Sequence, residues 1–226
     1  MPKLKNIIAF QGALGSNSDM ACRDAYPKMT ALPCQTFAEV FSVTRSEESQ
    51  LAMIPIENSV AGRVADIHRL LPGSGLYIIG EHFLRVNFHL FGVESSTLNT
   101  ITHVHSHIHA LPQCSNFIGK RGLLPVVHAD TAGAARDIAK WKDPSQGAIC
   151  TMLAGDLYGL KRLASDIEDS SHNTTRFIVM AKDPIMPQSD ALNIMTTFVF
   201  RVRNLPAALY KALGGFATNN VNMTKL

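Results

Sequence analysis

The sequence is poor in cysteine, holds one tryptophan and has no long apolar run. Its four cysteines, Cys22, Cys34, Cys114 and Cys150, are widely separated and form no CxxC pair, so they read as small buried residues of a reducing compartment. Only Cys114 has the histidines a catalytic thiol would need close by in sequence, at 107 and 109. No apolar run approaches the roughly 18 residues of a membrane helix. The four apolar residues that follow the basic start stop at Gln11, too few for the core of a signal peptide. The expectation is a cytoplasmic protein without membrane contact. Excess charge is lacking too: 21 Lys+Arg against 18 Asp+Glu give +3 with no basic stripe, which argues against nucleic acid as a partner. What is present is 226 residues, 46% of them hydrophobic, enough for one large domain or one with an appendage.

Strand-like runs alternate with helical periodicity. Residues 6–10 form a short apolar run that ends at Gly12, and Ser16 with Asp19 three positions on resembles a capping box. Phe37, Val40 and Phe41 share a helix face, and 51–56 reads as a buried strand. After Glu57-Asn58-Ser59, the residues Val60, Val64, Ile67 and Leu71 recur at helical spacing. Between 76 and 93 the pattern alternates, as in an extended segment crossing between lobes. Strands at 101–104, 125–128 and 148–150 interleave with helices from about 109 and over 131–141. This alternation predicts an α/β fold with a largely parallel sheet and helices on both faces. Residues 183–194 break the periodicity as a linker. Beyond them, a strand over 195–203, a helix over 206–217 and the start of a strand at 221–226 make a βαβ unit too small to stand alone.

Ligands of open α/β sheets bind where strands end and helices begin. Four polar clusters occupy such turns: 12–18, Glu57-Asn58-Ser59, 106–113 and Asn173-Thr174-Thr175-Arg176-Phe177. Ser16, Ser59 and Thr131 suit helix capping as well as anion binding, because both uses engage the first-turn N–H groups. His103, His105, His107 and His109 alternate and would share one strand face, a zinc-like arrangement, or else form a polar strand-to-helix turn.

The runs Ile54-Pro55-Ile56-Glu57-Asn58-Ser59, with Gly62, and Asn173-Thr174-Thr175-Arg176-Phe177 together resemble the paired signature of the prephenate dehydratase family. Asp130-Thr131-Ala132, Leu157-Tyr158-Gly159-Leu160 and the run Ser106-His107-Ile108-His109 agree in order, although the family usually has Pro-Gln where Ile108-His109 stand. The resemblance implies a two-lobed catalytic region over 5–182, of the type II periplasmic-binding-protein-like plan. Lobe one would take about 5–80 and 166–182, lobe two about 81–165. Residues 195–226 resemble the first part of a ferredoxin-like ACT regulatory domain, incomplete because the chain stops before its Glu-Ser-Arg-Pro segment. In family members that domain binds phenylalanine and mediates dimer contacts, so the resemblance implies a phenylalanine effector and a homodimer or homotetramer, both put in question by the missing part.

The activity implied is that of a carbon–oxygen lyase of phenylalanine biosynthesis, converting prephenate to phenylpyruvate with neither cofactor nor metal. Arogenate dehydration, a non-catalytic small-anion-binding module and an inactive truncated product are the alternatives. The resemblance assigns catalysis to Thr175, Glu57, Asn58 and Gln113, with Thr175 donating to the departing hydroxyl. It assigns substrate binding to Ser16, Ser59, Ser106, Thr131 and Arg176; a guanidinium can bind two carboxylate oxygens, or stabilise the lobe instead.

Overall fold

The computed structural model describes residues 6–188, 194–197 and 200–224. The chain divides into two compact units, residues 1–190 and 191–226.

The first unit runs β1 (Ile7–Gln11), α1 (Asn17–Ala25), β2 (Thr30–Cys34), α2 (Phe37–Arg45), β3 (Leu51–Asn58), β4 (Gly62–Arg63), α3 (Ala65–Leu70) and β5 (Tyr77–Arg85). It then crosses to β6 (His89–Gly92), β7 (His103–His107), α4 (Ser115–Lys120), β8 (Leu124–His128), α5 (Thr131–Trp141), β9 (Gln146–Cys150), α6 (Met152–Leu157) and β10 (Lys161–Ala164), and returns as β11 (Thr174–Ala181). One sheet has the order β2-β1-β3-β11-β5, with β4 paired to β3; the other has the order β10-β6-β9-β7-β8. Each sheet with its helices is a lobe.

Both sheets are mixed, which corrects the expectation of a largely parallel one. In the first lobe β2, β1 and β3 are parallel, whereas β11 runs antiparallel to both β3 and β5. In the second, β8, β7 and β9 are parallel, β6 runs antiparallel to β9, and β10 runs antiparallel to β6. The cause is the double crossing. The chain leaves the first sheet along β5 and re-enters beside it along β11, so the two strands at the crossing run in opposite directions.

Helices cover both faces of each sheet. On one face of the first, Ile54, Ile56, Ile178 and Met180 pack with Val40 and Phe41 of α2 and Ile67 of α3. On the other face, Phe10, Met53, Phe177 and Val179 meet Ala21 and Cys22 of α1. In the second lobe Val104, Leu90 and Ile149 pack with Ile118 of α4, and Phe91, Ala148 and Cys150 pack with Ala135 and Ile138 of α5 and Ala154 of α6. Side chains of this size contribute about 1.5–3 kcal/mol each when fully buried, so each lobe carries its own core.

The crossing lies at residues 86–88, because β5 stays in the first sheet through Arg85. The second crossing strand, residues 165–173, is zipped to it: Val86 N donates to Asn173 O at 2.8 Å and Ile167 N to Phe88 O at 2.9 Å. The Glu168 carboxylate accepts from Asn87 Nδ2 and Phe88 N, which ties the hinge at its middle.

The turn after β3 differs from the expected helix start. Asn58 Oδ1 accepts from Val60 N at 2.9 Å and Ala61 N at 2.8 Å, and Gly62 adopts φ +85, so the chain folds back as a hairpin into β4. The helix begins only at Ala65, and Val60 lies outside it, 48% exposed.

In the second unit α7 (Ala208–Thr218) corresponds to the helix expected over 206–217. The described residues of the two expected strands, 195–197, 200–203 and 221–224, are not in strands, and residues 198–199 and 225–226 lie outside the described set. Among the described residues no helix is long and apolar enough to cross a membrane.

Candidate active site

A cavity of about 300 Å³ opens between the lobes of the first unit. The first lobe contributes Gln11 and Gly12 at the end of β1, Ser16, Asn17 and Ser18 at the start of α1, Asn58 and Ala61 at the β3 turn, and Thr175 on β11. The second lobe contributes His107 at the end of β7, His109, Ala110 and Gln113 after it, and Ala129, Asp130 and Thr131 at the start of α5. Val86 and Phe88 of the hinge supply an apolar wall.

Two helices point their N-termini here. Ser16 caps α1 by accepting from Asp19 N, and Asp130 caps α5 by accepting from Gly133 N at 2.6 Å. The cap of α5 is therefore Asp130, while Thr131 is the first helical residue and lines the cavity. Asp19 is wholly buried, yet its carboxylate is satisfied by Gly15 N at 2.8 Å and Arg23 Nε at 2.8 Å.

Thr175 sits on β11 opposite Asn58 of β3, and its hydroxyl oxygen accepts from Asn58 Nδ2 at 2.9 Å. A β-bulge creates that pairing. Phe177 faces Pro55, but Arg176 faces Glu57, so Ile56 is the extra residue in β3. On an unbroken ladder Glu57 would lie opposite Thr175; the bulge moves Asn58 there instead. Asn58 Nδ2 also donates to Asn173 Oδ1 at 2.7 Å, Asn173 Nδ2 donates to Gln113 Oε1, and Gln113 Nε2 donates to the His109 carbonyl at 2.6 Å.

Ser16, Asn58, Gln113, Thr131 and Thr175 of the expected site thus converge on one cavity. Glu57, Ser59, Ser106 and Arg176 are not among its lining residues. Alternation along β11 turns Arg176 to the face opposite Thr175, where its Nε is 2.7 Å from Glu81, its Nη1 is 3.7 Å from Glu57, and its guanidinium lies 6.0 Å from the Phe83 ring centroid. Ser59 Oγ donates to His172 O at 2.8 Å and accepts from Thr174 N at 2.9 Å, stapling the hairpin to β11 rather than capping a helix. Ser106 is fully buried and donates to Ile149 O of the adjacent β9 at 2.6 Å. Ser106→Ala is accordingly expected to cost about 1–3 kcal/mol by leaving a buried carbonyl short of a donor, with KM unchanged. Denaturant unfolding and steady-state kinetics check it, and a raised KM at unaltered stability would return Ser106 to the binding site.

The four alternating histidines do not form a metal site; among the described residues no group of three or more His, Cys, Asp or Glu side chains is placed to hold an ion. His103 Nδ1 meets Thr102 Oγ1, and His105 Nε2 meets Gln146 Oε1. His107 and His109 reach the cavity, with ring centroids 5.1 Å apart. His109 N donates to His107 Nδ1 at 3.3 Å, so a neutral His107 carries its proton on Nε2. The cysteines are all buried, and burial pushes their thiols up, Cys34 to about 11 and Cys22, Cys114 and Cys150 further, which removes Cys114 as a thiolate nucleophile.

Burial, and then the neighbouring His109, holds the His107 pKa below the ordinary histidine value, with Asp130 opposing; burial does the same at His89 against Asp166 and Glu168. The unfolded chain therefore takes up protons near pH 6.5 that these folded rings refuse. Their contribution to stability is present above about pH 6.5 and lost as the pH falls toward the depressed folded values. The thermal midpoint is expected to drop between about pH 7.5 and 5.5, and to drop less in His107→Gln. Equal slopes in the two proteins would show that this ring is not a source of the effect.

Gln11, Gly12, His107, His109, Asp130 and the hinge residues Val86 and Phe88 were not among the expected site residues. For His107 and His109 the signal was present in the 106–113 cluster, whereas nothing in a βα-unit pattern marks the hinge as a cavity wall.

Comparison with known proteins places this geometry. Residues 8–185 match the family model described as prephenate dehydratase. The chain is 49% identical over 222 residues to a bifunctional N-acyl-homoserine lactone acylase/prephenate dehydratase of Komagataeibacter europaeus, covering 98% of this chain and 79% of that one. It is 38% identical over 219 residues to arogenate dehydratase 2 of Petunia hybrida, covering 97% of this chain but only 55% of that one, so it spans little more than half of the plant protein. A solved structure described as a novel type of quorum-quenching acylase superposes with a TM-score of 0.90 at 48% identity, over 97% of this chain and 80% of that one.

Proposed function

The chain belongs to the prephenate dehydratase family, and from that premise we propose that it catalyses the decarboxylating dehydration of prephenate to phenylpyruvate in the cleft lined by Thr175. The observation that carries this reading is the Thr175 hydroxyl, held by Asn58 in the lining of a cavity reached by the N-termini of α1 and α5.

In the reaction the bond between the ring and its carboxylate breaks, and its electron pair enters the ring. The hydroxyl on the opposite ring carbon departs with its bonding electrons and takes up a proton from solvent, leaving as water beside carbon dioxide. Aromatisation drives the process. The Thr175 hydroxyl donates a hydrogen bond to the departing oxygen. A threonine is too weak an acid to surrender that proton outright, so its contribution is a positioned hydrogen bond to developing charge. The two carboxylates of prephenate find the first-turn N–H groups of Asn17 and Ser18 in α1 and of Thr131 in α5, with the His107 Nε2–H beside them. Val86 and Phe88 offer the poorly solvated surface against which an anionic carboxylate becomes neutral carbon dioxide.

Arogenate differs from prephenate by an amino group in place of the side-chain keto oxygen and would give phenylalanine in the same two bond cleavages. The acylase activity in the name of the 49% identical relative is a second reading. Purified protein should be given prephenate, arogenate and an N-acyl-homoserine lactone in parallel. Release of phenylpyruvate from prephenate is the expected result; turnover of neither cyclohexadiene would refute the dehydratase reading, and release of a fatty acid would establish the other.

A further inference from the structure

Asn173 stands outside the cavity lining and is 1% exposed, yet its carboxamide joins the lobes. Oxygen and nitrogen of an amide are nearly isosteric, so the direction of an amide chain must be set by groups that cannot reverse. Here both ends are set. At one end Val60 N and Ala61 N, which can only donate, face Asn58 Oδ1. At the other the His109 carbonyl, which can only accept, receives Gln113 Nε2.

The intervening groups then have one consistent arrangement. Asn58 turns both its N–H bonds away from the hairpin, one to Asn173 Oδ1 and one to Thr175 Oγ1. Its two N–H groups and both lone pairs of its oxygen are thereby occupied by protein, so Asn58 orients Thr175 rather than binding substrate. Thr175 Oγ1 must accept from Asn58, and among the described residues no acceptor stands against its hydroxyl hydrogen, which is left for the cleft. Were Asn58 reversed, its amide nitrogen would oppose two backbone donors and its oxygen would draw off the Thr175 hydrogen.

We infer that Asn173 is a positioning residue: its Oδ1 holds Asn58 in the orientation that leaves Thr175 a donor, and its Nδ2 ties that orientation to Gln113 across the cleft. The inference rests on the dehydratase reading and concerns the donor that reading requires. Chains of this kind act as a unit, and losses within a unit do not multiply.

The test is steady-state kinetics on prephenate with the full chain. Asn173→Ala is expected to lower kcat on the order of 10–10²-fold with KM within about threefold of the parent. An Asn58→Ala/Asn173→Ala double variant is expected to be no slower than Asn58→Ala alone. Losses that multiply in the double variant, or a raised KM at unchanged kcat, would overturn the inference. Where Asn173→Ala fails to fold, Asn173→Asp and Asn173→Leu replace it; the former keeps an acceptor for Asn58 and should be the faster, and equal rates would overturn the inference too. An inactive parent protein would instead refute the dehydratase reading, so the two failures are separable.

Discussion

Thr175→Ala is expected to lower kcat on prephenate by a factor on the order of 10²–10⁴, the usual worth of a group positioned to stabilise developing charge by hydrogen bonding. The fold should survive, because Thr175 lies near the start of β11 and its backbone remains paired to β3 and β5. Two further substitutions separate the hydroxyl from the volume it occupies. Thr175→Ser keeps the donor and is expected to recover activity to within about tenfold of the parent. Thr175→Val keeps the shape but leaves one Asn58 N–H without its acceptor, a loss of about 1–3 kcal/mol added to the loss of chemistry. Circular dichroism and unfolding midpoints establish that each variant is folded before rates are compared. A folded Thr175→Ala with full activity would remove the residue from the mechanism, whatever the family it sits in.

Only some residues of the two sequence motifs line the cavity, and the reason is physical. Both signature runs lie at the ends of adjacent strands, so sequence proximity within each motif is a good guide to the lobe but a poor one to the face. Alternation sends Arg176 away from Thr175, and the bulge at Ile56 then exchanges Glu57 for Asn58 on the cavity side. A one-residue insertion of this kind depends on pairing with β11, more than a hundred residues away, and no local pattern in 51–58 shows it. Ser106 stands apart from the cavity lining for a related reason: it lies within β7, where its side chain bonds β9.

Short elements were the other loss. Strand β2 contains Pro33, which argues against a strand by local propensity, yet β2 is an edge strand that pairs only with β1 and tolerates it. Helix α6 has six residues, too few for a periodicity to register, though Thr151 caps it by accepting from Ala154 N at 3.1 Å. By contrast α5, with eleven residues and five buried positions, was legible from end to end. The two-lobed plan came from the family resemblance, with which the alternating segment at 76–93 agrees, and the mixed sheets were not legible because strand direction belongs to the return path of β11.

Gly15→Ala is expected to damage stability strongly, and it acts where the lobes touch. Gly15 adopts φ +88, which an alanine reaches only under strain. A Cβ there would lie 2.8 Å from Ala154 Cα and 3.0 Å from Ala154 Cβ, against a helix backbone that cannot swing aside. Gly15 O also accepts from Thr151 Oγ1, and Tyr158 Oη donates to Leu14 O at 3.3 Å, so loop and helix are fastened on both sides of the crowded point. Strain and overpacking together should cost about 2–4 kcal/mol, read as a lowered denaturant midpoint at unchanged m-value. The same displacement moves Ser16 and the start of α1 away from the opposite wall of the cavity, so KM for prephenate is expected to rise more than kcat falls. An unfolding midpoint equal to the parent's would mean that the loop and α6 are not in contact in solution, and that the cavity's first-lobe wall is held by α1 alone.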